Sequence, residues 1–235
     1  MKRFLTFLLL ACSLALPVLA QTQPRALYYV VFLRPAPDRK ALPKEQMEKI
    51  QADHMANIHA MADRGVLLAA GPFGDTPPTI SGVFIFKTSS LEEARRIASA
   101  DPTVVEHRNL VDVFAWRGPA GLGDEYVRLH KADPKTPEDM GIQPFMLLRR
   151  GPSFDRRADV QTAHGEYLQK LRSEGKIAAS GPVEGDPDIV GVVVYNRIPD
   201  ADARKLADED PFVKAGVARI EQHRWYCAAH VLPGW

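Results

Sequence analysis

The sequence predicts an α+β protein in which one small βαββαβ unit is built twice. Three observations carry this. His54 is followed eleven residues later by Gly65 and seventeen later by Gly71-Pro72, and His164 is followed by Gly175 and Gly181-Pro182 at the same intervals. The match continues at an offset shorter by one, pairing Gly82 with Gly191, Asp101-Pro102 with Asp210-Pro211, and Trp116 with Trp225. Within both copies, β-branched and aromatic runs alternate with helical periodicity in the same order.

The elements follow from composition. Leu27 to Leu33 is β-branched and aromatic, and Pro144 to Arg149 is its counterpart, so each copy opens on a strand. Arg34 and Pro37 correspond to Arg149 and Pro152, with five extra residues in the first copy's loop. Helices are predicted over 43–64, where Ile50, Ile58 and Met61 fall near one face, and over 159–174, with Gly65 and Gly175 as their C-terminal caps. Short second strands cover 66–70 and 177–180, and third strands 82–87 and 190–195. Second helices cover 90–100 and 202–208. Ser89 or Ser90 is the N-cap of the first of these, with Glu92 and Glu93 complementing the helix dipole. Final strands cover 110–116 and 221–227. The order is the ferredoxin-like split βαβ unit.

A βαββαβ module covers one sheet face with its helices and leaves the other in need of cover. Two modules of one chain can bury those faces together, as the covalent version of an isologous dimer, which implies a monomer with an internal pseudo-dimer. The expected organisation is module 1 over 26–117, a Gly-, Pro- and charge-rich linker over 118–142, and module 2 over 143–235.

Residues 1–20 read as a secretory signal: Lys2 and Arg3, an apolar run from Phe4 to Leu16, and small residues before cleavage after Ala20. The run is too short for a spanning helix, which needs about 20 apolar residues. Leu9-Leu10-Ala11-Cys12 offers the alternative of lipoprotein processing at Cys12. The expected location is therefore periplasmic or secreted. Removing residues 1–20 leaves 28 basic against 29 acidic residues, a balance that argues against a nucleic-acid or anionic-membrane partner. Cys227 is then the sole cysteine, so no intramolecular disulfide forms; it can be a buried small hydrophobe, an intermolecular bridge or a reactive thiol.

A His opening a helix, then Gly, a short strand, Gly-Pro, and later Asp-Pro-Phe-Val before a final Trp resembles the YCII-related family. The second copy shows it best, through His164, Gly175, Gly181-Pro182, Asp210-Pro211-Phe212-Val213 and Trp225; the first departs at Asp101-Pro102-Thr103-Val104. The resemblance implies an intrachain dimeric α+β barrel and an active site built on the family's His with an Asp. Related folds serve isomerases, dehalogenases, cofactor-independent oxygenases and haem proteins, so fold leaves the reaction open.

Among seven histidines, His54 and His164 occupy matching positions, whereas His59 faces Gln169 and His107 faces Gly216. A neutral imidazole suits proton transfer when a carboxylate fixes its tautomer. The matching Asp101 and Asp210 are the candidate partners, with Asp75 and Asp186 as alternates. The plainer reading is a helix histidine bonded to backbone and an Asp-Pro turn. Arg34 and Arg149 are candidates for pairing with an anionic substrate, or else solvated strand-edge residues. No HExxH, CxxC, GxGxxG or P-loop is present, so neither a metal nor a nucleotide cofactor is expected; Gly71-Pro72 and Gly181-Pro182 read as turns. Two functions fit: a cofactor-independent His/Asp acid-base enzyme of isomerase, lyase or dehalogenase type acting on a small organic molecule, or a non-catalytic small-ligand-binding or scaffold module of the cell envelope.

Overall fold

The structure is a computed structural model that describes residues 24–75 and 78–233. The signal segment, Ala20 and Cys12 lie outside the described residues.

Each copy opens on a strand that is apolar on both faces. In β1 (Arg25–Pro35), Tyr28, Val30 and Phe32 join a central cluster with Phe145, Leu147, Trp116 and Trp225, while Tyr29, Val31 and Leu33 pack under the first module's helices. This two-sided burial explains why the run lacks polar alternation. In module 1, α1 (Lys44–Asp63) leads to β2 (Leu67–Pro72), β3 (Gly82–Phe86), α2 (Leu91–Ser99), the one-turn α3 (Pro102–Val105) and β4 (Asn109–Pro119). Module 2 repeats this as β5 (Gly141–Arg150), α5 (Arg157–Ser173), β6 (Ile177–Glu184), β7 (Ile189–Tyr195), α6 (Asp200–Asp208), α7 (Pro211–Lys214) and β8 (Ala218–Cys227), with a 3-10 turn before α5. The order βαββαβ therefore holds in both copies, with an extra one-turn helix before each last strand.

The caps behave as their residues require. Gly65 takes φ +68° after α1; its N–H donates to the Ala62 carbonyl at 2.8 Å, and the Val66 N–H to that of Met61 at 3.0 Å. Gly175 repeats this with φ +70° after α5, donating to the Arg172 carbonyl at 2.9 Å. These are Schellman motifs, which call for a left-handed residue. Ser90 caps α2 by accepting the Glu93 N–H at 3.1 Å.

The eight strands form one antiparallel sheet in the order β2-β3-β1-β4-β6-β7-β5-β8. One seam between modules pairs β4 with β6 through Trp116 opposite Val183. The other seam closes the barrel: Phe73 bridges Trp225, and the Gly74 N–H donates to the Arg224 carbonyl at 2.8 Å. The two seams are repeat-equivalent. The Gly-Pro pairs, expected as turns, instead lie inside β2 and β6 at these seams. A Cβ on Gly71 would come 1.9 Å from the Tyr226 carbonyl oxygen, and one on Gly181 would come 1.9 Å from that of Arg117. Glycine is needed there for close backbone approach.

The segment between the modules is more ordered than its composition implies. It carries α4 (Asp124–Ala132), whose first turn is tied to the chain's tail by Gly123 N–H to the Val231 carbonyl and Tyr126 N–H to that of His230. Leu122, Val231 and Leu232 are buried in the central cluster. Periodicity could not show this, because the helix is short and its partner is a tail a hundred residues away. Cys227 is fully buried in the same cluster, and burial pushes its thiol pKa up, away from reactivity. Among the described residues, no helix is long and apolar enough to cross a membrane.

Candidate active site

Each module holds a cleft between its long helix and its sheet, and the repeat-equivalent histidine faces into it. In module 1, His54 Nδ1 lies 2.8 Å from Asp101 Oδ2, and Asn57, one turn along α1, donates to the same oxygen at 3.0 Å. The other oxygen accepts the Thr103 N–H at 3.0 Å and its hydroxyl at 2.6 Å. Asp101 is fully buried. Burial alone would raise its pKa, but hydrogen bonds from His54, Thr103 and Asn57 outweigh that and hold it below the usual carboxylate value.

Module 2 repeats the pair with different surroundings. His164 Nδ1 lies 2.8 Å from Asp210 Oδ1, and the same oxygen accepts the Phe212 N–H at 2.8 Å. The Phe212 ring stacks on the imidazole at 3.9 Å between centroids and 5° between planes. Thr103 at the equivalent position gives Asp101 an extra donor instead. Asp101 and Asp210 thus both form the turn and hold the histidine: each caps the one-turn helix with its side chain while reaching the imidazole. The turn and pair readings of Asp-Pro are compatible.

A carboxylate oxygen only accepts, so in the neutral ring Nδ1 carries the proton and Nε2 keeps its lone pair. Nε2 of neither histidine has a partner among the described residues. His54 lines a cavity of about 480 Å³ and His164 one of about 580 Å³. An imidazole fixed on one edge and open on the other can take a proton from a bound molecule and return it. Gln51, on the first cavity's wall, and Gln161, on the second's, are also repeat-equivalent.

The other expected site residues are placed differently. Arg34 is held by both oxygens of Asp112, and Arg149 by Glu221 and by Asp188 at 2.7 Å. Neither lines the cavity of His54 or that of His164. Their charges are met by carboxylates on the neighbouring strand, or on the loop before β7, rather than left for a substrate. Asp186 lines the second cavity but accepts the backbone N–H groups of Asp188 and Ile189 as a turn former. Asp75 reaches across the seam to His223 Nδ1.

His223 is a site that repeat matching passed over, because Phe114 stands at its position in module 1. It is nearly fully buried and stacks on Phe73 at 4.5 Å. Its Nε2 lies 3.0 Å from Glu221 Oε1, an ion-pair contact without hydrogen-bond alignment. Burial would depress its pKa, but Glu221 and Asp75 overcome this and raise it. His223 and then Arg149 pull Glu221 down to about 2 from 4.5, against burial. Glu221 therefore stabilises the fold fully above pH 4.5 and loses that contribution as pH falls toward 2, whereas His223 stabilises below 6.5 and loses it as pH rises. Glu221→Gln should lower unfolding free energy by about 1–2 kcal/mol between these limits, solvent screening of the half-buried carboxylate reducing the full effect, with the difference vanishing toward pH 2. Urea unfolding across pH measures it; a pH-independent difference would contradict the assignment.

Helix-over-sheet clefts on both modules of a closed eight-stranded barrel define a duplicated dimeric α+β barrel protein with a His–Asp pair in each half. Residues 27–117 and 125–225 each match the YCII-related domain, and the chain belongs to that family. Protein YciI of Escherichia coli is 33% identical over 76 residues, spanning 29% of this chain and 78% of that protein. Chlorite dismutase of Candidatus Nitrospira defluvii superposes with a TM-score of 0.56 at 10% identity, over 86% of this chain and 91% of that one. A 5-chloro-2-hydroxyhydroquinone dehydrochlorinase of Burkholderia phenoliruptrix, solved with 2,5-dihydroxybenzoquinone, is 26% identical, covering 35% of this chain and 92% of that one with a TM-score of 0.30.

Proposed function

We propose that the protein is an acid-base enzyme acting on a small organic molecule, with His164 and His54 as the proton-transferring groups and Asp210 and Asp101 as the residues that orient them. The observation that carries this is the His164 ring, anchored at Nδ1 on a buried carboxylate while Nε2 opens on a cavity of about 580 Å³. The chemistry is removal of a proton from carbon or oxygen by Nε2, leaving the electron pair on the substrate, and its return at the same or another atom. Isomerisation, elimination and dehalogenation share the removal; in the last two the electron pair expels the leaving group as its anion and the proton passes from Nε2 to solvent, and neither course requires a cofactor. The signal-like segment 1–20 supports export of the chain, with Gln21 as the mature N-terminus by mass spectrometry; a lipid-modified Cys12 would oppose soluble export.

Deuterium exchange tests the chemistry without knowledge of the natural substrate. In D2O, the protein should exchange the acidic C–H protons of phenylpyruvate or phenylacetone faster than buffer alone, read by proton NMR. The double variant His54→Gln/His164→Gln should return the rate to background while remaining folded, with a cooperative melt. Undiminished exchange in the folded double variant would reject the assignment.

A further inference from the structure

The two clefts are related by the repeat but differ in charge, and the difference lies in residues outside the His–Asp pair. The module 2 cavity is lined by Arg25, Arg150, Arg157 and Arg172, with Asp186 as the only acidic lining residue among the described residues. Among the described residues, no Arg or Lys lines the module 1 cavity. At the positions equivalent to Arg172, Ser180 and Arg25, the module 1 cavity is lined by Ala62, Ala70 and, from just before β5, Met140.

Two of these arginines converge on one point. Arg172, in the last turn of α5, donates from Nη2 to the Ser180 hydroxyl at 2.7 Å, while its Nε is buried without a partner among the described residues. Arg25 comes from the other module across the β4–β6 seam, with Nη1 at 3.1 Å from the Arg117 carbonyl and 3.5 Å from that of Ser180. Neither pairs with a carboxylate among the described residues. Burial, followed by the positive charge of Arg25, pulls the Arg172 pKa below the usual guanidinium value. Two adjacent guanidiniums, one half-buried, are costly to hold without a counter-charge. By contrast, Arg34 has Asp112, and Arg149 has Glu221 and Asp188.

We propose that the module 2 cleft is a binding site for an organic acid with an apolar body, its carboxylate held by Arg172 and Arg25 and its reacting end at His164. Eight residues of α5 separate His164 from Arg172, a rise of about 12 Å. The wall between them is apolar, formed by Leu168, Leu148, Ile189 and Val193. A carboxylate suits the planar guanidinium fork, and the apolar wall favours an attached hydrocarbon or aromatic portion over a bare inorganic anion. The module 1 cleft lacks both arginines and takes no such acid. For the reaction at His164 the inference rests on the acid-base reading; for anion binding it stands apart from it.

Calorimetry at low salt with 3-phenylpropanoate, its neutral amide 3-phenylpropanamide, and inorganic phosphate tests the site. The expected result is one acid bound per chain, with the amide weaker by roughly ten- to a hundredfold. Arg172→Met should weaken the acid by a similar factor and leave the amide unchanged, and Arg172→Lys should recover part of the loss. Arg25→Met, at an exposed strand end, gives a second reading independent of packing on α5. Equal binding of acid and amide, two acids per chain, phosphate binding as tight as the organic acid, or indifference to both arginine variants would each overturn the proposal. Acid binding without deuterium exchange would overturn only the proton-transfer reading. Exchange without arginine-dependent binding would overturn only this one.

Discussion

Gly181→Ala is expected to destabilise the protein by on the order of 3 kcal/mol or more, because it places a methyl group where the opposing strand's backbone already stands. The new Cβ would be 1.9 Å from the Arg117 carbonyl oxygen and 3.0 Å from the Arg25 guanidinium. Neither the backbone of β4 nor that of β6 can yield without opening the β4–β6 seam, where Ala115 pairs with Glu184 and Trp116 with Val183. Trp116 would also lose the Gly181 carbonyl to which its indole donates at 3.2 Å. For a chain of this size the loss corresponds to a fall in Tm of roughly 6–12 °C. Gly71→Ala should do the same at the other seam, where the Tyr226 carbonyl oxygen lies 1.9 Å from the added carbon. Gly165→Ala is the control: it sits within α5 with nothing within 4 Å of an added Cβ, so the change should raise stability by about 0.5–1 kcal/mol. Thermal melts decide it. A Gly181→Ala protein that melts with the wild type would mean that the modules do not meet at this seam.

In a His54→Gln background, which silences the module 1 cleft, Asp210→Asn is expected to lower exchange by roughly 10²–10⁴-fold while preserving the fold. The amide oxygen can still accept the Phe212 N–H that caps α7, so the local turn survives. What it loses is the charge facing Nδ1. An amide can present its NH2 to the ring as readily as its oxygen, which moves the ring proton to Nε2, the atom that must accept one. The imidazolium formed during transfer would also lose its counter-charge. The stability cost should be about 1–3 kcal/mol, the range for a hydrogen bond to a charged group. Melting and exchange thus separate the two effects: exchange kept near the rate of the His54→Gln protein would show that the carboxylate is only structural.

The repeat made much of this legible. Equal spacing carried the element order, the caps at Gly65 and Gly175, and the pairing of His54 with Asp101 and His164 with Asp210, since all of these depend on local geometry repeated along the chain. What it concealed depends on strand register and on contacts between copies. Arg34 and Arg149 looked available because Asp112 and Glu221, which pair with them, lie on a neighbouring strand whose register composition does not encode. Gly71 and Gly181 looked like turn residues because a Gly-Pro pair has the same sequence signature in a turn and at a barrel seam. His223 was passed over because its partner Asp75 comes from the other module, and Arg25 stayed hidden because it enters the module 2 cleft from the first strand of module 1. The signal that could have found the basic cleft is a mismatch within the repeat, Arg172 against Ala62 and Ser180 against Ala70, on the walls of otherwise matched clefts.

Proton transfer in the two clefts requires imidazoles held with Nδ1 protonated and Nε2 open to a ligand. Nitrogen-15 NMR of the histidine side chains in the wild-type protein reads that state directly. Above the titration of the rings, His54 and His164 should show the Nδ1–H tautomer, with unprotonated Nε2 resonances, and the His164 Nε2 signal should move on addition of phenylpyruvate. An Nε2–H tautomer at both positions, indifferent to added ligand, would contradict the account.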